Sequence, residues 1–253
     1  MRPPKITALA ITLNEAANLP RFLQQLWFAD EVVVVDSGST DGTVQLAKAA
    51  EKVTLVHRSF DDFSTQKKFA IAQASHDWIV FFDPDEEIPQ PLAHEIVAAV
   101  ANPGKQVAFM VKRVMHFIDK PIRYGGAQSD WIIRIFNKNH CRYNQNMVHE
   151  TIIAHGPVGR LRTKVPHYGC QDFDAYTTKL HKYAALQAQQ LYAKKMKPNP
   201  YHFFIKPLYR FINEYFFRLG FLDGKEGYML AYLNAFTVFK RYLNLWMLHR
   251  KID

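Results

Sequence analysis

The chain has 253 residues, which is enough for one large α/β domain with a smaller appendage and too few for two domains of that size. Hydrophobic residues make up 48% and charged residues 22%, so a mainly disordered chain is excluded. The formal net charge of +9 predicts anionic partners, such as nucleotide phosphates, nucleic acid or an acidic lipid surface, without choosing among them.

The first half of the chain alternates short β-branched runs with amphipathic stretches. The pattern predicts strands at residues 6–12, 31–36, 53–57 and 78–83. It predicts helices at residues 15–27, 41–50 and 64–74 between them. A helix at 91–101 and strands at 107–114 and 131–136 follow. This order predicts an α/β fold with a doubly wound, mostly parallel sheet flanked by helices, whose ligand lies beyond the carboxyl ends of the strands.

The last third of the chain is helical and rich in aromatic residues. A helix is predicted at 176–195, followed by a break at Lys197-Pro198-Asn199-Pro200 and further helices. We therefore expect a catalytic domain over residues 1–172 and a helical extension over residues 173–253.

The helical extension carries a basic, aromatic stripe. Residues 201–246 hold fifteen of the thirty-five aromatic residues, and Lys206, Arg210 and Arg218 lie between apolar side chains at helical spacing. Such a stripe favours peripheral contact with an acidic membrane surface. Packing on the catalytic domain, or on a second copy in a homodimer, stays open.

The lack of a recognisable secretion signal and the spacing of the two cysteines favour a cytoplasmic setting. The first five residues lead into a strand without an apolar signal core, and the longest apolar candidate, 227–239, is shorter than the roughly 18 residues of a spanning helix. Cys141 and Cys170 have no metal-ligand spacing, so neither a disulfide framework nor a zinc site is expected. We expect a protein at the inner face of the cytoplasmic membrane that does not cross it.

Small polar residues follow the first two predicted strands. The first ends in Thr12-Leu13-Asn14-Glu15, where Thr12 or Asn14 could simply cap the next helix. The second ends in a tight loop that begins Asp36-Ser37-Gly38 and runs to Thr43. Glycines there let backbone N–H groups approach a phosphate or base, and an acidic residue at the strand end can accept a hydrogen bond from a nucleobase or ribose.

Four carboxylates in five positions follow the fourth predicted strand, in Asp83-Pro84-Asp85-Glu86-Glu87. They repel one another and need either a cation or a solvated turn. Magnesium or manganese with a diphosphate suits them, because a hard ion takes one or two carboxylates and completes its shell with phosphate oxygens. A surface acidic turn is the alternative.

Together these segments resemble the nucleotide-sugar half of family 2 glycosyltransferases of the GT-A type. The resemblance lies in Thr12 to Glu15, Val35 to Thr43 and the D-x-D of Asp83 and Asp85, in this order over about the first 90 residues. It implies a UDP-sugar donor and Mg²⁺ or Mn²⁺ as cofactor. It also implies a nucleotide-sugar site formed by Thr12, Asn14, Glu15, Asp36, Ser37, Gly38, Lys67 and Asp83.

Within that implied site, Asp36 would read the uracil or ribose, and Asp83 and Asp85 would hold the ribose and the metal-bound diphosphate. Lys67 would contact a phosphate, although a solvated helix face explains this residue almost equally well. His167 is a candidate metal ligand beside Asp85; a hydrogen-bonded structural histidine is the alternative.

The second half resembles the subgroup similar to lipopolysaccharide core β-glucosyltransferases. It contains Trp131-Ile132-Ile133-Arg134 and Val148-His149-Glu150, while the E-D pair and the Q-x-x-R-W motif of many family members are missing. Trp131, Arg134 and His149 are predicted on the acceptor side.

Inverting transfer needs a carboxylate that takes the proton of the acceptor hydroxyl. We predict Glu150 as this base and Asp130 as the substitute. An ion pair of Glu150 with Arg134 or Arg142 is the structural alternative.

The resemblance thus implies an inverting, metal-assisted transfer of glucose or a related hexose from a UDP-sugar to a lipopolysaccharide core or other lipid-linked acceptor. A nucleotidyltransferase acting on sugar phosphates is an alternative, but its glycine-rich loop after the first strand is missing. A non-catalytic, basic nucleic-acid-binding protein would explain the net charge and leave the acidic segment at residues 83–87 unexplained. We therefore expect no nucleic-acid partner.

Overall fold

The computed structural model describes residues 3–144, 151–170 and 172–252. The chain forms two compact units, one of Met1–Arg113 with Trp131–His167 and one of Val114–Asp130 with Tyr168–Asp253. The second unit thus includes residues 114–130 besides the C-terminal part of the chain, and the expected division into a catalytic domain and an extension at residue 172 stays a prediction. Residues 114–130 join the second unit because Phe117 and Ile122 share a hydrophobic cluster with Cys170 and Leu230.

The strands and α-helices follow the predicted alternation through residue 101. The strands are β1 Ile6–Thr12, β2 Glu31–Asp36, β3 Val53–His57, β4 Trp78–Phe81, β5 Ala108–Phe117, β6 Lys120–Pro121, β7 Trp131–Asn137, β8 Cys141–Tyr143, β9 Ile152–Ala154, β10 Val158–Arg160 and β11 Val165–Cys170. The α-helices are α1 Leu19–Gln25, α2 Thr43–Ala49, α3 Phe63–Gln73, α4 Gln90–Ala101, α5 Phe173–Ala193, α6 Lys206–Ile212 and α7 Lys225–Arg250.

Helix α1 begins four residues later than the predicted start at residue 15. Pro20 lies in its first turn, and a proline further inside a helix would remove a backbone hydrogen bond and clash with the preceding turn. Its N-cap residue is Asn18, so the helix-cap alternative for Thr12 and Asn14 is wrong.

The main sheet is doubly wound around β1. Its strand order is β10-β5-β7-β4-β1-β2-β3, with β6 and β11 also paired to β5. Strand β1 is parallel to both β2 and β4, and β2 is parallel to β3. Strand β7 runs antiparallel to β4 and β5. The chain order reverses between β1 and β4, where doubly wound sheets bind their ligands at the carboxyl edge.

Alternating side chains cover both faces of this sheet. In β2, Val32 and Val34 belong to one hydrophobic cluster, and Val33 and Val35 belong to the other. Helices α1 and α4 pack in the first cluster, and α3 packs in the second. Because both faces are buried, the central strands are continuously apolar up to the polar residues at their carboxyl ends.

The second unit is mainly helical, as predicted for the C-terminal extension. Helices α5 and α7 share a cluster that contains Ala188, Tyr242 and Leu245. Short turns lie beside the α-helices: a 3-10 turn at Gly125–Ser129, π-helical turns at Tyr201–Ile205 and Asn213–Phe217, and a 3-10 turn at Gly220–Asp223. Across the described ranges, no helix has both the length and the apolar character needed to span a bilayer.

Candidate active site

The acidic segment after β4 is fixed by the backbone of β11. Within the segment, the N–H of Glu86 donates to the carbonyl of Asp83 at 2.9 Å. Glu87 donates its backbone N–H to the carbonyl of Pro166 at 2.8 Å, and Glu86 forms an antiparallel bridge with His167. This pairing brings His167 of β11 to the acidic segment at the carboxyl end of β4.

Protein cations neutralise part of this segment. Arg134 of β7 is only 1% exposed, and its Nη2 lies 2.5 Å from both Asp83 Oδ2 and Glu86 Oε1. Arg113 Nη1 lies 3.2 Å from Glu86 Oε1, and Lys67 Nζ lies 3.8 Å from Asp83 Oδ1. Burial raises the pKa of Asp83, but Arg134, Lys67 and Arg113 more than offset it and hold the pKa well below its ordinary value. Asp83 is therefore ionised.

These contacts correct two expectations. The carboxylates of the segment 83–87 were expected to need a metal ion or a solvated turn. Instead, Arg134 and Arg113 neutralise the buried Glu86. Arg134 was expected on the acceptor side, but its guanidinium is buried against Asp83 and Glu86. A buried arginine next to two carboxylates is held there because its charge cannot remain unpaired away from water.

Asp85 and His167 meet in a geometry that fits a divalent cation. His167 Nε2 lies 3.3 Å from Asp85 Oδ2, and both side chains are partly buried. Adjacent ligands of an octahedral ion with bonds of about 2.1 Å are about 3 Å apart. Within the ranges that the structure describes, no group of three or more histidine, cysteine or acidic side chains surrounds such a position. These two side chains would thus share the ion with oxygens of a ligand or water.

Asp36 holds the loop that follows β2. Its Oδ2 accepts hydrogen bonds from the N–H groups of Gly38 and Ser39, both at 2.9 Å, and its Oδ1 accepts from the hydroxyls of Thr12 and Ser39. Burial raises the pKa of Asp36, and these hydrogen bonds lower it below its ordinary value. A carboxylate has about four acceptor positions, and all four are used within the chain. Contact of Asp36 with a nucleobase stays a prediction.

The loops after β1 and β2 are bound to each other. Asn14 adopts a left-handed backbone conformation with φ of 58°, and its Oδ1 accepts from the N–H of Thr40 at 2.8 Å. The N–H of Asn14 donates to Ser39 Oγ, and the N–H of Glu15 donates to Thr43 Oγ1, each at 2.8 Å. The structure therefore brings together the residues that sequence analysis placed in the nucleotide pocket.

Helix α3 brings two further side chains to this edge. Gln66 Nε2 donates to Ser37 Oγ at 3.0 Å. Lys67 is buried, with its Nζ 5.7 Å from the ring centroids of both Phe81 and Tyr143. Because Lys67 is buried beside Asp83, the solvated-face alternative is wrong, and a phosphate contact stays a prediction.

Only part of the predicted acceptor side lies within the residues that the structure describes. Trp131 begins β7, and Arg160 lies over its ring at 5.1 Å. Asp130 is the residue before Trp131. His149 and Glu150, the latter our first choice for the base, lie outside the described residues, as does any ion pair of Glu150 with Arg134 or Arg142.

Sequence reasoning missed Arg113 and the structural role of Glu86. Glu86 was treated as one of four equivalent carboxylates, yet it is fully buried while Asp85 and Glu87 are not. The available signal was the presence of Arg113 and Arg134 inside predicted strands, because a charged residue in a buried strand needs a charged partner.

Residues 7–158 match the model of a protein family described as glycosyl transferase family 2. This match spans more than half of the chain, and the chain belongs to that family. It is a glycosyltransferase with the expected GT-A fold, so the nucleotidyltransferase and nucleic-acid-binding alternatives are set aside.

Several relatives are similar along nearly their whole length. The lipopolysaccharide core biosynthesis glycosyltransferase LpsC of Rhizobium meliloti (strain 1021) is 28% identical over 250 residues, covering 94% of this chain and 93% of LpsC. An uncharacterized glycosyltransferase of Rickettsia felis is 29% identical over 254 residues, covering 95% and 89%. The mannosyltransferase PcManGT of Pyrobaculum calidifontis, in complex with GDP-Man and Mn²⁺, is similar in fold, with 16% identity, coverage of 94% and 74%, and a TM-score of 0.50.

Proposed function

We propose that this glycosyltransferase transfers glucose or a related hexose from a UDP-sugar to a lipopolysaccharide core or another lipid-linked acceptor. The transfer uses a divalent cation and inverts the configuration of the anomeric carbon. The observation that carries the proposal is the position of Asp85 and His167, 3.3 Å apart at the carboxyl end of β4. This end lies next to the loops after β1 and β2, because β1 pairs with both β4 and β2. The lipopolysaccharide acceptor is supported by the similarity to LpsC over nearly all of both chains.

Different residues of this edge contact different parts of the donor. Asp83, kept ionised by Arg134, accepts a hydrogen bond from a ribose hydroxyl, and the loop organised by Asp36 presents its backbone to the nucleotide. Lys67 lies beside Asp83, where its charge attracts a phosphate. A divalent cation on Asp85 and His167 would neutralise negative charge on the departing diphosphate.

Inversion follows from a single displacement. The acceptor oxygen forms a bond to the anomeric carbon while the bond from that carbon to the diphosphate oxygen breaks. The hydroxyl proton passes to a carboxylate, which we assign to Glu150, with Asp130 as the substitute. The leaving diphosphate keeps the electron pair of the broken bond, so UDP is the second product.

The second unit supports a lipid-linked acceptor and a peripheral position at the inner face of the membrane. Of the three acidic residues in 201–251, Glu214 and Asp223 are buried, and Glu226 is bound to Lys120 at 2.8 Å. The outer surface therefore presents cations and aromatic rings, among them Phe204 and Phe217, which are 71% and 74% exposed. An anionic bilayer complements this surface, whereas a second copy of the chain would place cations against cations.

The experiment is UDP release from a panel of nucleotide sugars with Mn²⁺, Mg²⁺ or a chelator. The test variant is Asp85→Asn, and the matched control is Asp77→Asn, an exposed aspartate before the opposite end of the same strand β4. We expect metal-dependent release from a UDP-sugar, reduced at least about tenfold in Asp85→Asn and unchanged in the control. Metal-dependent release that survives Asp85→Asn would remove the proposed cation site.

The stereochemistry at the anomeric carbon is tested by a separate measurement. A β-linked product from an α-linked UDP-hexose, seen in the anomeric coupling constant by NMR, agrees with a single displacement. An α-linked product would reject inversion while leaving the donor assignment intact.

A further inference from the structure

Two carboxylates of one short segment are buried in the second unit. Glu214 belongs to the π-helical turn Asn213–Phe217 and is 2% exposed. Asp223 ends the 3-10 turn Gly220–Asp223 and is 4% exposed. Burying a carboxylate costs free energy unless it is paired or hydrogen-bonded, so the partners of these two groups indicate their role.

Asp223 binds the backbone of a distant loop. Its Oδ2 accepts from the N–H groups of Arg123 at 3.1 Å and Tyr124 at 2.8 Å. The next amide, that of Gly125, donates to the carbonyl of Arg218 at 2.9 Å. Lys120 Nζ donates to the carbonyl of Asp223 at 2.7 Å. Three consecutive amides of the loop are thus fixed by residues 218–223, and two of them by a charged acceptor, which makes the stronger hydrogen bond.

Glu214 supports the same loop by close packing. A Cβ atom on Gly126 would lie 3.0 Å from Glu214 Oε1, and a Cβ atom on Gly220 would lie 2.6 Å from the Glu214 carbonyl oxygen. Glu214 is itself held by Arg210 at 2.6 Å and by Asn234 at 2.7 Å. The loop thus approaches the segment closely at Gly126, and the close approach at Gly220 fixes the fold of the segment 213–223 itself.

The segment 213–223 has a second, outward side. Its exposed apolar residues are Phe216, Phe217, Leu219, Phe221 and Leu222. One short segment thus carries part of the proposed lipid-facing surface in its exposed residues, and its buried residues are Asp223, which binds the loop, and Glu214, which packs beside Gly126.

The anchored loop leads to the predicted acceptor side. Residues 123–126 continue through the 3-10 turn Gly125–Ser129 to Asp130 and then to Trp131. Trp131 begins β7, which is antiparallel to β4, so it starts at the same carboxyl edge that carries Asp83. Fixing residues 123–125 therefore limits, through the covalent chain, where Asp130 can lie.

We propose that Asp223, supported by Glu214, is a positioning residue that fixes the loop 123–130 for the lipid-linked acceptor. This inference rests on the proposed function, because it assigns the loop to the acceptor and not to the donor. The proposed donor contacts lie on β1, β2, β4 and α3, whereas the anchor of the acceptor loop lies on the segment 213–223.

The test compares Asp223→Ala with Asp223→Asn, which keeps an acceptor oxygen, and with the control Asp174→Ala, an exposed carboxylate of α5 in the same unit. UDP affinity is measured by calorimetry with Mn²⁺, and backbone order by hydrogen–deuterium exchange of the peptide covering 120–130. Glucose transfer is measured from UDP-glucose to lipopolysaccharide extracted from a strain with a truncated core. Gly126→Ala, which pushes a methyl group toward Glu214, perturbs the loop without changing Asp223.

For Asp223→Ala we expect faster exchange in 120–130 and at least a tenfold lower kcat/KM for the lipopolysaccharide. UDP affinity should stay within twofold of the unmodified protein. Asp223→Asn should recover most of the transfer, Gly126→Ala should lower it, and Asp174→Ala should retain it. If Asp223→Ala does not fold, Gly126→Ala decides the outcome by the same measurements.

Equal losses of UDP affinity and transfer, or unchanged exchange in 120–130, would overturn the inference. Absence of transfer by the unmodified protein would count against the proposed acceptor alone. The exchange measurement would then still decide whether Asp223 fixes the loop.

Discussion

Arg134 is the residue on which the acidic edge of the site most depends, because it is buried between Asp83 and Glu86. Replacing it with methionine keeps the volume of the side chain and leaves two carboxylates near each other without their main cation. Removing one partner of a buried ion pair costs about 3–5 kcal/mol. We expect Arg134→Met to lower the free energy of unfolding in urea by this amount, and the exposed control Arg142→Met to change it by less than about 0.5 kcal/mol. A loss as small as that of the control would show that Arg113 alone neutralises the segment.

At the residue scale, the sequence predicted which side chains gather at the carboxyl edge but not how they pair. Asp36 ends β2, and Asp83 and Asp85 follow β4. Both strands are parallel neighbours of β1, so their carboxyl ends lie at the same edge of the sheet. The partner of Glu86 could not be predicted, because it depends on the antiparallel register of β7 against β4. A shift by one residue would turn Arg134 to the other face of the sheet.

At the element scale, the start of α7 depends on a close approach between two backbones. A Cβ atom on Gly227 would lie 1.9 Å from the carbonyl oxygen of Gly220. Alanine is intrinsically favoured over glycine within a helix by about 1 kcal/mol. Overpacking against backbone costs about 1–3 kcal/mol and here outweighs that gain.

We therefore expect Gly227→Ala to destabilise the protein, measured as a lower midpoint of thermal or urea unfolding. Met229→Ala, an exposed site in the same helix, is the control and should leave the midpoint nearly unchanged. A higher midpoint for Gly227→Ala would mean that helix propensity dominates and that the approach of Gly220 to α7 is looser than the structure has it.

The elements themselves were predicted well where apolar periodicity is strong. The strands β1, β2 and β3 have the predicted bounds, because their apolar runs end at polar residues; β1 and β2 are largely buried, whereas β3 is only partly buried. The short strands β8, β9 and β10 were not predicted, since three residues are too few to show a period of two. The break at 197–200 was predicted from its two prolines, and a helical turn resumes at Tyr201.

At the scale of the whole molecule, the sequence places residues 114–130 with the first part of the chain, whereas the structure groups them with residues 168–253. The sequence shows a change in composition near residue 172. The grouping of 114–130 with the second unit depends instead on packing against residues far along the chain, such as Cys170 and Leu230. Composition reflects only residues that are close together in the sequence, and such long-range contacts leave no periodic signal in a single sequence.

The net charge of +9 and the exposed rings of the second unit give the last prediction, binding to anionic vesicles. We expect the protein to sediment with vesicles containing phosphatidylglycerol and not with phosphatidylcholine alone, and the binding to weaken as salt is added. Each basic residue at such a surface contributes about 1 kcal/mol, so Arg218→Gln should weaken binding roughly fivefold, and Lys48→Gln on α2 should not.

The aromatic contribution to vesicle binding can be separated from the charge. Phe217→Ser removes a ring that is 74% exposed, and burying such a side chain contributes about 1.5–3 kcal/mol. We expect more than tenfold weaker vesicle binding at any salt concentration, and no change for Phe60→Ser, which removes an exposed ring of the first unit. The alternative outcome is that light scattering finds a dimer that Phe217→Ser dissociates, and that the protein does not bind vesicles. The exposed rings would then form the interface with a second copy of the chain. A lipid-linked acceptor would then have to reach the enzyme without a docking surface on the second unit.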